Sequence, residues 1–90
     1  MKFQLAPMLI DKLKKQDVRI RNSFKKTLET FFKDPNNLEL DNHELKREWK
    51  GFRSIDVTTD LCAIYQEDNL EGEPIAYFVA LGTHKELYKK

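Results

Sequence analysis

Ninety residues, 40% of them hydrophobic with six Phe and one Trp, allow one compact domain over residues 1–90 and leave no room for a second core. No apolar run is long enough to cross a bilayer, and the opening MKFQLAPML lacks the apolar stretch of a secretory signal. The single cysteine, Cys62, excludes an internal disulfide, so a reducing, cytoplasmic setting is expected. The net charge of +1 hides nine basic against three acidic residues up to Lys33, four against eleven from Asp34 to Glu73, and three against one beyond. A basic amino-terminal region suits a phosphate backbone or an acidic protein, although lysines solvating helix faces give the same count.

Met1 to Leu5 is a short strand or an extended arm. Pro7 then fits a first helical position, where its missing N–H costs nothing, and Leu9 and Leu13 lie one turn apart until Gln16-Asp17 interrupts the pattern. From Val18 the period is helical: Ile20, Phe24, Leu28 and Phe32 recur every four residues, with Phe31 broadening the stripe. Asp34-Pro35-Asn36-Asn37 ends this helix in a turn, and the two helices are expected to form an antiparallel hairpin. Leu38 to Lys50 is polar and irregular, anchored by Leu40 and Leu45. Phe52 to Thr58, Leu61 to Gln66 and Ile75 to Leu81 are β-branched and aromatic runs of strand length. Thr58-Thr59-Asp60 reads as a tight turn and Glu67 to Pro74 as a longer acidic connection. After Gly82, Thr83-His84-Lys85-Glu86 is a capping-box pattern that opens a short terminal helix, with Leu87 and Tyr88 as docking residues. The expected fold class is α+β: a two-helix amino-terminal hairpin packed on one face of a curved antiparallel sheet, then a short carboxy-terminal helix.

Two histidines stand in chemically suggestive settings. His43 precedes the basic-aromatic stretch Lys46-Arg47-Glu48-Trp49-Lys50-Gly51-Phe52-Arg53. His84 opens a helix, where free N–H groups and the dipole favour an anion. Asp56 and Asp60 flank the turn between two strands, and Arg53, Asp60 and His84 are expected to converge at one end or face of the sheet. Trp49 either stacks on a base or closes the edge of a small core, the second being the expectation. His43, Asp56, Asp60 and His84 are acceptable metal ligands by type, but their spacing matches no short-range ligand motif, and no cofactor is expected.

The run from His43 to Asp60, His-Glu-Leu-Lys-Arg-Glu-Trp-Lys-Gly-Phe-Arg-Ser-Ile-Asp-Val-Thr-Thr-Asp, resembles the pattern of the YafQ-like branch of the RelE/ParE toxin superfamily. In that pattern His-x-Leu leads to Trp-Lys-Gly-Tyr-Arg, a strand and an Asp. The ending from Tyr77 to Tyr88 is similar to that group's closing strand, Gly-Thr-His and terminal aromatic. The resemblance implies the toxin of a type II toxin-antitoxin system. Such a toxin is a ribosome-dependent endoribonuclease that cleaves mRNA by 2′-OH attack, without a metal, and is neutralised by a cognate antitoxin. Carried over by position, His43, Asp60 and His84 are its catalytic residues, with Asp56 a further candidate. Arg53, Lys50, Lys46 and Tyr88 are its substrate contacts.

Three departures from the pattern, besides Phe52 in place of Tyr, bear on the chemistry. Asp56 stands where the branch commonly has a second His, and a carboxylate repels phosphate and donates a proton only if its pKa is raised. Ser54 stands where the branch can carry an Asp. Cys62 replaces a basic or large apolar residue and reads as a buried small hydrophobe. These departures keep two other functions open: a catalytically weak antitoxin-binding or repressor module, and a gyrase-inhibiting ParE-type toxin. The antitoxin is expected to bring an extended acidic segment to the basic helical hairpin, around Arg21, Lys25 and Lys26.

Overall fold

The computed structural model describes residues 1–88. In chain order the elements are β1 (Lys2–Leu5), α1 (Pro7–Lys14), α2 (Val18–Lys33), β2 (His43–Glu44), β3 (Phe52–Asp56), β4 (Leu61–Leu70), β5 (Glu73–Thr83) and α3 (His84–Leu87). Single 3₁₀ turns at Leu38–Leu40 and Arg47–Trp49 flank β2.

Pro7 stands in the first turn of α1 as its chemistry favours. Asp17 caps α2 by accepting the Arg19 backbone N–H at 2.7 Å. That bond holds the Asp17 carboxyl below its usual range. The buried face of α2 is Phe24, Thr27, Leu28 and Phe31. Phe31 is fully buried and lies edge-on to Tyr65 and Phe78 at 5.1 and 5.3 Å between ring centres. Phe24 meets Phe78 the same way at 6.3 Å. Truncating an aromatic ring at such a position costs about 3–5 kcal/mol. Phe32, by contrast, is 54% exposed.

The sheet has the order β1-β5-β4-β3-β2. The β2–β3, β3–β4 and β4–β5 pairs are antiparallel, as expected for strands joined closely. The amino-terminal segment is indeed a strand, but it pairs parallel with β5, so the sheet is mixed where a purely antiparallel one was expected. Parallel neighbours need a long crossover, and everything between β1 and β5 supplies it. The acidic connection expected from Glu67 to Pro74 is mostly strand: β4 runs to Leu70 and β5 starts at Glu73. Glu71 and Gly72 turn the chain at φ 52° and 83°, the left-handed pair that matches the twist of a two-residue hairpin.

Alternation along the strands divides the sheet into two buried faces. One carries Ile55, Ala63, Tyr65, Ala76, Phe78 and Leu81, which join Leu9, Phe24, Leu28 and Phe31 of the helices in the main core. The other carries Ser54, Cys62 and Ile64, all buried, and it receives α3.

Candidate active site

The second face collects the chemistry. Ser54 and Asp56 lie two apart on β3, so their side chains share it. His43 pairs with Ser54, and Asp56 pairs with Cys62, which pairs with Gly82. Directly opposed residues project to the same side, so His43 joins the group from the sheet edge. Gly82 leads straight into α3. Thr83 caps that helix: its hydroxyl accepts the Glu86 N–H at 3.2 Å and the Glu86 carboxylate accepts the Thr83 N–H at 2.9 Å. His84 and Tyr88 then stand one turn apart on α3, ring centres 5.3 Å apart. A side chain at Gly82 would crowd this turn, because an added Cβ would lie 3.2 Å from the Glu86 carboxylate and 3.4 Å from Leu87.

The electrostatics centre on Asp56. Burial raises its carboxyl above the ordinary range and the Asp41 carboxylate adds to the rise, while His43 and His84 both oppose it. Both histidines of the chain thus lie within electrostatic reach of Asp56. Tyr88 reaches the same place from α3. Burial pushes its phenol above the usual tyrosine value, the Ser54 hydroxyl opposes the shift, and Cys62 and Asp56 reinforce it. The Cys62 thiol is buried, 4.0 Å from the Tyr88 hydroxyl and 3.8 Å from the Gly82 carbonyl. His43 is half-exposed, and its Nδ1 lies 2.7 Å from the Asp41 carbonyl and 3.9 Å from the Asp41 carboxylate. A carbonyl only accepts, so Nδ1 carries the proton and Nε2 presents a free lone pair. The face thus combines an imidazole able to accept a proton, a carboxyl biased toward its protonated form, a second imidazole and a phenol.

Two tethers hold α3 on the sheet. The Trp49 indole N–H donates to the Leu87 carbonyl at 2.8 Å, and its ring stands edge-on to Phe52 at 5.4 Å. Trp49 closes the packing, as expected. Lys12 of α1 reaches the Leu81 carbonyl and lies 3.9 Å from the Glu86 carboxylate, linking the helical layer to the capping box.

Of the three residues expected to converge, Asp60 and His84 do lie at one end of the sheet, beside the paired Leu61 and Thr83, but Arg53 does not join them. Arg53 follows the parity of Ile55 and lies on the helix side of the sheet, away from His84. Its Nε donates to the Asn42 side-chain oxygen at 2.9 Å and its Nη1 lies 3.6 Å from Glu44. Asp60 sits exposed in the β3–β4 turn, its backbone N–H on the Thr58 hydroxyl at 3.2 Å. Lys46, Lys50 and Arg53 line a separate depression of about 550 Å³ beside β2. Among the described residues, no group of three or more His, Cys, Asp or Glu side chains is arranged to hold a metal ion. Sequence reasoning missed Asp41, Asn42 and Lys12, whose residue types alone carry no signal in a single chain.

The whole arrangement can be set beside known proteins. The sequence matches, over residues 10–89, the family described as "Bacterial toxin of type II toxin-antitoxin system, YafQ". The chain belongs to the YafQ toxin family. Its fold is similar to that of YafQ from E. coli strain BL21(DE3) (TM-score 0.74, 21% identity, 97% of each chain covered). It is also similar to a YoeB/ParE toxin from Agrobacterium tumefaciens (TM-score 0.72, 16% identity, 93% of this chain and 99% of the other). The same holds for the E. coli DinJ-YafQ toxin-antitoxin complex (TM-score 0.70, 21% identity, 97% of this chain and 96% of the other). Curated proteins give no sequence match. The helix-on-sheet architecture with a short terminal helix is therefore shared with these solved toxin structures, and no helix among the described residues is long and apolar enough to cross a membrane.

Proposed function

We propose that this toxin is an endoribonuclease that cleaves mRNA on the ribosome in the cytoplasm, using the face built from His43, Asp56, His84 and Tyr88. The observation that supports it most is one face of the sheet that gathers His43, Ser54 and Asp56 from paired strands and receives His84 and Tyr88 from α3. In the reaction, the ribose 2′-OH attacks the adjacent phosphorus. The 2′-O–P bond forms, the P–O5′ bond breaks, and a cyclic phosphate and a 5′-OH remain. His43, with Nε2 open, accepts the 2′-OH proton. His84 is the acid of this reading: in its protonated form it offsets the phosphate charge and gives a proton to the leaving 5′ oxygen. The Asp56 carboxylate favours positive charge on the two imidazoles, and in its protonated form it adds a donor. Asp60, at the exposed turn past Asp56, is the outer acid-base candidate. Lys46 and Lys50, exposed beside β2, are the cations placed to neutralise phosphates of the RNA backbone.

Induced expression should arrest growth, and His84→Ala or Asp60→Ala should relieve the arrest. Primer extension on translated transcripts should map cuts that vanish in the same variants. Intact transcripts with arrested growth would instead favour a module that binds without cutting, the reading that the carboxylate at position 56 supports. Altered DNA supercoiling would favour gyrase inhibition.

We further propose that the cognate antitoxin docks on the amino-terminal side. An apolar groove of about 770 Å³ runs between α2 and β1, with Phe3, Leu28, Phe32 and Leu70 among its walls and Arg21, Lys25 and Lys33 at its rim. Among the described residues none of these three cations forms an ion pair. An acidic amphipathic segment would satisfy both the rim and the walls. Lys26, grouped with Arg21 and Lys25 on sequence, lines a different depression near Thr30 and Glu39.

A further inference from the structure

Asn42 makes more side-chain hydrogen bonds than its exposed surroundings would suggest. Its Nδ2 donates to the Pro35 carbonyl at 2.9 Å and to the Tyr65 hydroxyl at 2.8 Å, and its Oδ1 accepts from Arg53 Nε at 2.9 Å. A carboxamide has two N–H donors, so both are engaged. The three partners lie in three different places: the turn after α2, the main core through Tyr65, which is 1% exposed, and strand β3. One side chain therefore ties the chain, at the residue between Asp41 and His43, to the turn after α2, to the buried Tyr65 and to β3.

His43 needs such a pin. Its strand is two residues long, both exposed and on the edge of the sheet, and a pairing that short does not hold a side chain in place by itself. Asp41 sits in the left-handed region at φ 47°, ψ 47°. That turn aims its carbonyl at His43 Nδ1, 2.7 Å away. The geometry fixes the tautomer of the ring, because Nδ1 must donate and Nε2 is left to accept. An unconstrained neutral histidine favours the opposite form, with the proton on Nε2.

We infer that Asn42 is the positioning residue for His43: it sets the ring's place and its Nδ1–H tautomer, and Arg53 serves the site through Asn42 instead of gripping the substrate. The bearing of this on cleavage rests on the nuclease reading above; the tautomer does not. Arg53 is suited to the task because its Nε donates to Asn42, its Nη1 lies near Glu44 and it faces the helix side of the sheet. Asp56, two strand positions past Ser54, shares His43's face and receives the consequence.

The test is long-range proton–nitrogen NMR on the free protein, at a pH where His43 is neutral, with single-turnover cleavage on programmed ribosomes alongside. The native protein should show His43 protonated on Nδ1. Asn42→Ala should move His43 toward the Nε2–H form and lower the cleavage rate roughly tenfold to a hundredfold, with little change in RNA affinity, as small displacements of a proton acceptor do. Should Asn42→Ala fail to fold, Arg53→Met, which keeps the side-chain stem, should show the same tautomer change. If both variants fold, combining them should add little beyond either alone, since both act on one contact. A native His43 protonated on Nε2, or an Asn42→Ala protein whose His43 tautomer is unchanged, would overturn the inference. So would an Arg53→Met protein that leaves the tautomer intact but binds RNA more weakly in a salt-dependent way, since Arg53 would then be a phosphate contact. A tautomer that responds as expected in a protein that cuts no RNA would support Asn42's role and sink the nuclease reading instead.

Discussion

Replacing Trp49 by Phe separates its two possible uses, holding α3 or stacking on RNA. The substitution keeps a ring able to stand against Phe52, now 5.4 Å away and edge-on, so the aromatic contact largely survives. What is lost is the indole N–H that donates to the Leu87 carbonyl at 2.8 Å. A net hydrogen bond contributes about 0.5–1.5 kcal/mol, and a partly buried carbonyl left without its donor adds a desolvation cost at the low end of about 1–3 kcal/mol. Trp49→Phe should therefore cost roughly 1–2 kcal/mol. For a chain of this size that lowers the melting temperature by roughly 5–12 °C. α3 is four residues long and has no helical stability of its own, so the loss should fall on that segment first. Differential scanning calorimetry gives the shift, and amide exchange at Leu87 and Tyr88 should quicken while exchange along β4 stays slow. Cleavage should fall with it, because His84 and Tyr88 ride on α3. An unchanged melting temperature with unchanged exchange, together with lost cleavage, would refute the tether and make Trp49 a base-stacking surface.

At position 56 the sign of the pH effect follows from the raised carboxyl. A folded-state pKa above the unfolded one favours folding while the group is protonated, and that favour is lost as pH rises from the usual carboxylate value of 3.8 through the folded pKa. Asp56→Asn should thus melt slightly higher than the parent at neutral pH and show no advantage at acid pH; the opposite ordering would mean that Asp56 is held by a cation. Asp56→His should raise cleavage about tenfold or more, since a positioned proton-transfer group contributes about 10²–10⁴, and primer extension under matched expression checks it. For the groove, Arg21→Glu with Lys25→Glu should weaken antitoxin binding about tenfold to a hundredfold, chiefly through the association rate and less so at high salt. Calorimetric titration that finds no change would place the antitoxin elsewhere.

Much of the helical layer was legible because burial and the 3.6-residue period act on the same residues. The exception is instructive. Stepping by four from Ile20 through Phe24 and Leu28 to Phe32 drifts about 40° around the helix at each step. Phe31, seven residues after Phe24, falls within about 20° of it. So the stripe carries Phe32 out to the surface while Phe31 takes the centre of the core. The strands were legible where their residues are apolar. The acidic halves of β4 and β5 were not, since Glu67 to Leu70 is held by its ladder to Ala76, Ile75, Pro74 and Glu73, not by burial. No local signal could show β1 lying parallel to β5, because that pairing joins residues about seventy positions apart, from Lys2 with Ile75 to Leu5 with Phe78.

The site follows the same logic at finer scale. Arg53 and Asp56 are separated by an odd number of positions, so a strand through both must send them to opposite faces. That parity was available in the sequence, and it divides the basic-aromatic stretch into two groups with different work. Arg53 turns toward Asn42 and Tyr65 and anchors the segment carrying His43. Ser54 and Asp56 turn toward α3, where Tyr88 and His84 arrive through a helix that begins directly after Gly82. The proposed proton-transfer groups thus come from three segments: β2, bonded through Asn42; α3, tethered by Trp49 and Lys12; and β3, held by its place in the sheet. Losing one of these tethers is expected to loosen the segment it holds without exposing Phe31 or Phe78. The perturbations that should abolish cleavage in this chain are therefore hydrogen bonds one step removed from the reacting groups, at Asn42 and Trp49, as much as the histidines themselves.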